Sequence, residues 1–492
     1  MTLATAEVAP DTHALRGSLP LWVGVVSYAV LIFAGDRLLN DPDTQWQITV
    51  GQWILDHHTV PHTDVYSFTM HGAPWISTQW LAQVLYAQIY AWFGWPGPVV
   101  LAAAASAATF ALLARYLVRN LSESAALVFV AVALALTAPH LLARPHVLAL
   151  PIMVAWIGEL IAAADRRVAP PFWLLPLMAL WANVHGGFVF GLMMIAPIAL
   201  DAVIQADANN RMALAVRWGV FAALALAASC CTPYGWESLL ASRNILALGS
   251  ALPLITEWRS VDFTTLRPFE ICLLGGVGLA LYRGIRLPPL RIVILLGLIH
   301  MALSQGRAAE ILALLSPLVL ARPLARQISG IEAASLRPVR GVMLTGLAVV
   351  LVAGTLTFSA MHRFAPNAAN SPVGAVAELK KLNVERVFND YDFGGYLIAS
   401  GVAPFIDGRT ELYGEKFFVD YDRASGLSEP DNLFRLLEAY HIQATLLRTQ
   451  SAAAKLLDHV DGWRKVYSDE IATIHVRKAG APHTAEPGAH FP

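Results

Sequence analysis

The stretch Leu21-Trp22-Val23-Gly24-Val25-Val26-Ser27-Tyr28-Ala29-Val30-Leu31-Ile32-Phe33-Ala34-Gly35-Asp36-Arg37-Leu38-Leu39-Asn40-Asp41-Pro42-Asp43 decides the fold. Its apolar part, Leu21–Leu39, approaches the roughly 20 residues that a membrane-crossing helix needs. It ends in two carboxylates one residue apart, held by a proline and followed by the aromatic run Thr44-Gln45-Trp46-Gln47-Ile48-Thr49-Val50-Gly51-Gln52-Trp53-Ile54-Leu55-Asp56. No small-residue cleavage site precedes Asp36, so the run reads as a retained first anchor.

Further apolar runs follow at Val99–Leu117, Ala125–Leu142, Val147–Ala164, Phe172–Val184, Phe188–Ile204, Trp218–Cys231, Phe269–Leu281, Ile292–Ser304, Ala309–Leu320 and Val342–Ser359. The segment Ser77–Gly94, interrupted by Gln79, Gln83 and Gln88 and crowded with Trp80, Tyr86, Tyr90, Trp92 and Trp95, fits an interfacial helix. About 11 spans result. One set of loops then holds Arg115, Arg119, Arg166, Arg167, Arg211, Arg217, Arg283, Arg286, Arg291, Arg322, Arg326, Arg337 and Arg340. The positive-inside rule puts these loops in the cytoplasm, with the N-terminus. The loop Asn40–Pro74 and everything after His362 fall on the far, periplasmic side.

Composition agrees. Only 14% of the 492 residues are charged, against about 25% in an ordinary soluble chain. Residues 1–361 hold 38 of the 69 charges, and all six lysines lie beyond, at Lys380, Lys381, Lys416, Lys455, Lys465 and Lys478. The expected division is a cytoplasmic tail over 1–20, a membrane domain over 21–361 with its first periplasmic loop at 40–98, a small soluble α/β domain over 362–478, and a disordered tail over 479–492. The α/β assignment rests on short strands at Val384–Phe388 and Ala444–Leu447, helices at Asn432–Tyr440 and Ala452–Val460, and a closing β pair over Lys465–Val476. A net charge of −1 argues against nucleic acid as a partner. Cys230, Cys231 and Cys272 read as small buried hydrophobes, not as a disulfide framework.

Asp41 and Asp43 suit a general base or a cation site at the membrane surface, where a low dielectric raises a carboxylate's proton affinity. As plain helix caps they would instead accept backbone N–H bonds. Arg144, His146, His185 and Arg307 are placed near span ends on the same side as the acidic loop, where each is a candidate functional residue. The alternatives are snorkelling or an ion pair for the arginines, with Glu310 as the partner of Arg307, and close helix packing for His185 beside Gly186-Gly187. In the soluble domain, Asn389-Asp390-Tyr391-Asp392-Phe393-Gly394-Gly395-Tyr396 and Asp407-Gly408-Arg409-Thr410-Glu411-Leu412-Tyr413 combine carboxylates, aromatic rings and glycines. That mixture fits a carbohydrate-facing surface or ordinary turns.

The run Asp41-Pro42-Asp43-Thr44, with Trp46, Gly51, Trp53-Ile54, Val60-Pro61, Asp64, Tyr66-Ser67-Phe68-Thr69, Gly72, Trp75 and Gln79-Trp80-Leu81, resembles the first outer loop of a bacterial branch of the type C glycosyltransferases. Ala143-Arg144-Pro145-His146, Trp181-Ala182-Asn183-Val184-His185-Gly186-Gly187-Phe188 and Thr232-Pro233-Tyr234-Gly235 extend the likeness. Relatives often read Trp-Trp-His where this chain has Gln45-Trp46-Gln47, and Glu-Trp where it has Gln79-Trp80. Asp392-Phe393-Gly394 and Asp407-Gly408 are faintly similar to the acceptor-binding region of oligosaccharyltransferase catalytic subunits.

The resemblance implies a polytopic inner-membrane enzyme that moves sugar from a polyprenyl-phosphate donor to a glycan, lipid or protein acceptor, with Asp43, or Asp41, as the base. It implies a donor phosphate at Arg307, Arg144, His146 and His185. Acceptor or substrate contacts are implied at Trp46, Asp64, Trp75, Asp392, Tyr396, Asp407, Arg409, Glu411 and Tyr413, and a divalent cation, Mg or Mn, at Asp41/Asp43. The competing class is a non-enzymatic binder or transporter of lipid-linked glycans. It would show ionisable groups deep in the spans or inverted repeats, whereas the spans hold mainly Glu159, Asp201, His300 and Glu310.

Overall fold

A computed structural model describes residues 18–328 and 341–478. The tails expected at either end, except for residues 18–20, and Arg337 and Arg340 lie outside the described residues. Each apolar run of the sequence is helical. Among the described residues, seven helices are long and apolar enough to cross a membrane, for example Pro96–Leu117, Pro145–Arg166, Ala308–Gln327 and Gly341–Met361, and Leu19–Phe33, Leu174–Val184 and Pro289–Ser304 are apolar but shorter. The chain is a multi-pass membrane protein by this measure.

Helix starts follow local chemistry. Pro96, Pro145, Pro268 and Pro289 each open a helix, where the missing N–H costs nothing. Ser122 caps Glu123–Thr137 by accepting from the Ala125 N–H. Helices Leu19–Phe33, Pro96–Leu117 and Pro145–Arg166 pack side by side around a core that includes Phe110, Trp156 and Leu314. Gly341–Met361 buries none of its side chains in the protein and presents an apolar surface all round. Cys231 is exposed and Cys230 and Cys272 are half-buried, so the cysteines sit at the bundle surface and not in its core as expected.

Helix Trp80–Phe93 lies along helix Thr44–His57. A Cβ on Gly51 would overlap the Gln83 carbonyl, so glycine permits the approach. The glutamines that interrupt the apolar pattern satisfy one another: Gln83 Nε2 donates to Gln47 Oε1 at 2.7 Å, and Ser77 Oγ donates to Gln83 Oε1 at 2.8 Å.

Beyond residue 362 stands a four-stranded sheet in the order β1-β2-β4-β3, with β1 Val387–Asn389, β2 Ala444–Arg448, β3 Trp463–Ser468 and β4 Ala472–Arg477. β1 and β2 are parallel, and β4 runs antiparallel to both β2 and β3. Strand alternation sends Val387 and Leu446 to one face, against Ala375, Leu379 and Leu397. Phe388 and Leu447 go to the other, against Tyr413, Phe418, Leu433 and Leu437. A further cluster of Trp46, Val50, Ile54 and Trp75 with Ile398 joins this domain to the first loop.

Candidate active site

The Asp41-Pro42-Asp43 turn is built by its own carboxylate, since Asp41 Oδ1 accepts from the Asp43 N–H at 2.7 Å. Asp43 stands at the start of helix Thr44–His57, but its side chain makes no capping bond. Its Oδ1 accepts instead from Trp46 Nε1 at 2.9 Å. The capping alternative therefore fails for Asp43. The Asp41 side chain is 1% exposed and that of Asp43 24%, which leaves Asp43 as the carboxylate that another molecule can reach.

Arg144 is brought to this turn by the chain around it. A residue before proline is forced towards extended backbone, and Arg144 has φ −145° and ψ 166° ahead of Pro145. Its neighbour Ala143 donates its N–H to the Leu38 carbonyl at 2.6 Å and accepts from Thr44 Oγ1 at 3.0 Å. Arg144 Nη1 then lies 3.0 Å from Asp41 Oδ2 and 3.7 Å from Asp43 Oδ2, and Nη2 pairs with Glu257 Oε1. Arg307 Nη1 pairs with the second oxygen of Glu257 at 3.1 Å. Backbone bonds hold that segment in place: Arg307 N–H donates to the Glu257 carbonyl and Gly306 N–H to that of Arg259. The ion pair expected between Arg307 and Glu310 is thus made with Glu257.

Burial, then the neighbouring Asp41 charge, pushes Asp43 up to about 8, although Arg144 opposes the shift. Asp41 is also raised, chiefly by burial. Glu257, where the two arginines outweigh burial, is lowered.

His146 accepts from Arg144 Nε at Nδ1, 3.1 Å away, and its Nε2 lies 2.8 Å from the His140 carbonyl, which calls for a proton on Nε2. It braces Arg144. His185 accepts from the Gly187 N–H at 3.0 Å, a bond within its own turn.

The soluble domain approaches the turn through two glycines. A Cβ on Gly395 would overlap the Pro42 carbonyl, and one on Gly408 would overlap Asp43 Oδ1. Behind Gly408, Arg409 is fully buried. Its Nε and Nη2 bind the two oxygens of Asp407 at 2.8 and 2.7 Å, and Nη1 binds Asp64 Oδ1 at 2.5 Å. Tyr413 donates to Asp407 at 2.7 Å, and the guanidinium lies 4.8 Å from the ring centre of Trp75. Despite burial, Arg409 holds Asp407 below its usual range. Asp64, Asp407, Arg409 and Tyr413, read from sequence as substrate contacts, are thus bonded to one another across the join between first loop and soluble domain. Trp75 Nε1 donates to Glu411 at 3.3 Å in the same join. Asp392 pairs with Arg448 at 2.6 Å, and Tyr396 packs half-buried against the sheet.

Among the described residues no group of three or more His, Cys, Asp or Glu side chains is disposed to hold a metal ion. The space between Asp41 Oδ2 and Asp43 Oδ2, where the cation was expected, faces the Arg144 guanidinium. Glu257 and His140 were missed from sequence. The available signal for Glu257 was an acid in a loop placed on the same side as Asp41.

The fold has a counterpart among solved structures. It is shared with the crystal structure of the Archaeoglobus fulgidus oligosaccharyltransferase in its apo form, at TM-score 0.51 and 12% identity, over 94% of this chain and 75% of that one. The archaeal oligosaccharyltransferase AglB of Archaeoglobus fulgidus, in complex with an inhibitory peptide and a dolichol-phosphate, superposes at TM-score 0.47 and 10% identity over the same shares. No protein-family model and no curated protein matches the sequence.

Proposed function

We propose that the protein is a bacterial inner-membrane glycosyltransferase that moves a sugar from a polyprenyl-phosphate-linked donor to a glycan, lipid or protein acceptor on the periplasmic side. The observation that carries this is the partly exposed carboxylate of Asp43, set beside two arginines that converge on a second partly exposed carboxylate, Glu257.

The acceptor hydroxyl gives its proton to Asp43 as its oxygen bonds to the anomeric carbon. The bond from that carbon to the phosphate oxygen breaks on the opposite face, and its electron pair leaves with the polyprenyl phosphate. The anomeric configuration inverts. Arg144 and Arg307 already grip two oxygens of one carboxylate, and a phosphate presents oxygens in a similar fork. The donor phosphate then takes the place of the Glu257 carboxylate between them. Asp41, buried against Arg144, positions that arginine and does not touch substrate.

The test is incubation of the purified protein in nanodiscs with a panel of polyprenyl-phosphate sugars and membrane-derived acceptors, read by mass spectrometry. Release of free polyprenyl phosphate coupled to a glycosylated product is expected. Binding of the lipid-linked sugar with no turnover of any donor would favour the binder or transporter.

A further inference from the structure

We propose that Arg144 takes the place of a divalent cation at the Asp41–Asp43 turn, so that transfer at Asp43 runs without a bound metal; the second half of this inference rests on the function proposed above.

Oxygens from two segments of the chain converge on one guanidinium. Asp41 Oδ2 and Asp43 Oδ2 come from the first loop, at 3.0 and 3.7 Å from Nη1, and Glu257 Oε1 comes from the segment ahead of helix Pro268–Arg283, against Nη2. A cation of the Mg type is commonly held through one or two carboxylates, and Asp41 and Asp43 are such a pair. Here the positive charge at their centre is supplied by the protein.

The guanidinium is fixed. Its side chain is 12% exposed, its backbone is extended by Pro145, and its remaining face is held by His146 Nδ1 at 3.1 Å. It is also permanently charged, because the surrounding carboxylates raise its proton affinity against the cost of burial. Asp41 Oδ2 is buried and has no aligned hydrogen bond among the described residues, only the ion pair with Arg144. Removing the guanidinium would strand that charge. A small cation could then settle between Asp41 and Asp43, where Nη1 now lies.

The experiment is an electron paramagnetic resonance titration of Mn2+ with metal-free protein in detergent, for wild type, D41N, R144A and the double variant R144A/D41N. Wild type is expected to leave Mn2+ free, R144A to take up one Mn2+ per chain, and the double variant to lose it again. One Mn2+ bound by wild type and lost in D41N overturns the inference, as does an R144A chain that folds and binds none. If R144A does not purify as a folded chain, the wild-type titration and D41N decide alone. A parallel transfer assay in EDTA is expected to leave the wild-type rate unchanged, and loss of rate restored by Mn2+ overturns the inference as well. Should no donor be turned over at all, the proposed function fails and the Mn2+ titration still decides whether Arg144 holds the cation position.

Discussion

Gly408 lies so close to Asp43 that a Cβ on it would overlap the Asp43 carboxylate. Two residues more than 360 positions apart therefore set one another's place, and glycine is required because the neighbour must stay where it is. The clash falls on the end of a side chain and not on backbone, so G408A is expected to fold and to turn the Asp43 carboxylate away. Misplacing a reacting group by about 1 Å costs about 10²-fold in rate. Steady-state transfer assays, with melting temperature as the folding control, check this.

The pH dependence has a defined sign. Asp43 stands at about 8, so near neutrality it is mostly protonated and cannot act as a base. The transfer rate is expected to rise with pH through about 8 in wild type. A rate that is flat between pH 6 and 9 would remove Asp43 from the rate equation.

The same shift acts on stability. The folded-state value lies above the ordinary 3.8, so the folded protein holds a proton that the unfolded chain gives up. The Asp43 contribution is full below 3.8 and is lost as pH rises through about 8. D43N removes that loss. Its melting temperature is expected to match or exceed that of wild type at alkaline pH, measured by differential scanning fluorimetry in one detergent.

Arg409 joins the first loop to the soluble domain through Asp64 and Asp407, with all three side chains fully buried. R409L would leave two buried carboxylates without their counter-charge, a change that typically costs about 3–5 kcal/mol. R409K should fail nearly as badly, because an ammonium cannot reproduce the fork on Asp407. Limited proteolysis is expected to cleave the first loop faster in both variants. Resistance equal to wild type would mean that the aromatic cluster around Trp46 and Trp75 holds the join unaided.

Glu257 competes with the donor phosphate for Arg144 and Arg307. E257Q is expected to lower the donor KM, by roughly tenfold if about 1.4 kcal/mol of competition is relieved, and R307Q to raise it. An unchanged KM in E257Q would place the phosphate elsewhere.

Much of the fold was legible in the sequence because lipid demands long apolar runs, and every such run is a helix. The strands at Val387–Asn389 and Ala444–Arg448 followed from short apolar stretches bounded by polar turns. The structure brings Asp41, Asp43, Arg144 and Arg307 together, and sorting arginines by loop had placed them on one side. Asp64, Asp407 and Arg409 were harder. A buried ion triad and a carbohydrate-facing cluster use the same residue types, and only the pairing of positions 345 residues apart separates them. Glu257 escaped for a related reason, since its partners lie 113 positions before it and 50 after it.

The central claim is that Asp43 takes the acceptor proton. The most direct measurement is the transfer rate of D43N and D41N in nanodiscs, with donor and acceptor saturating. D43N is expected to lose about 10²–10⁴-fold, and D41N to lose rate through the displaced Arg144. Wild-type rates in both variants would contradict the mechanism.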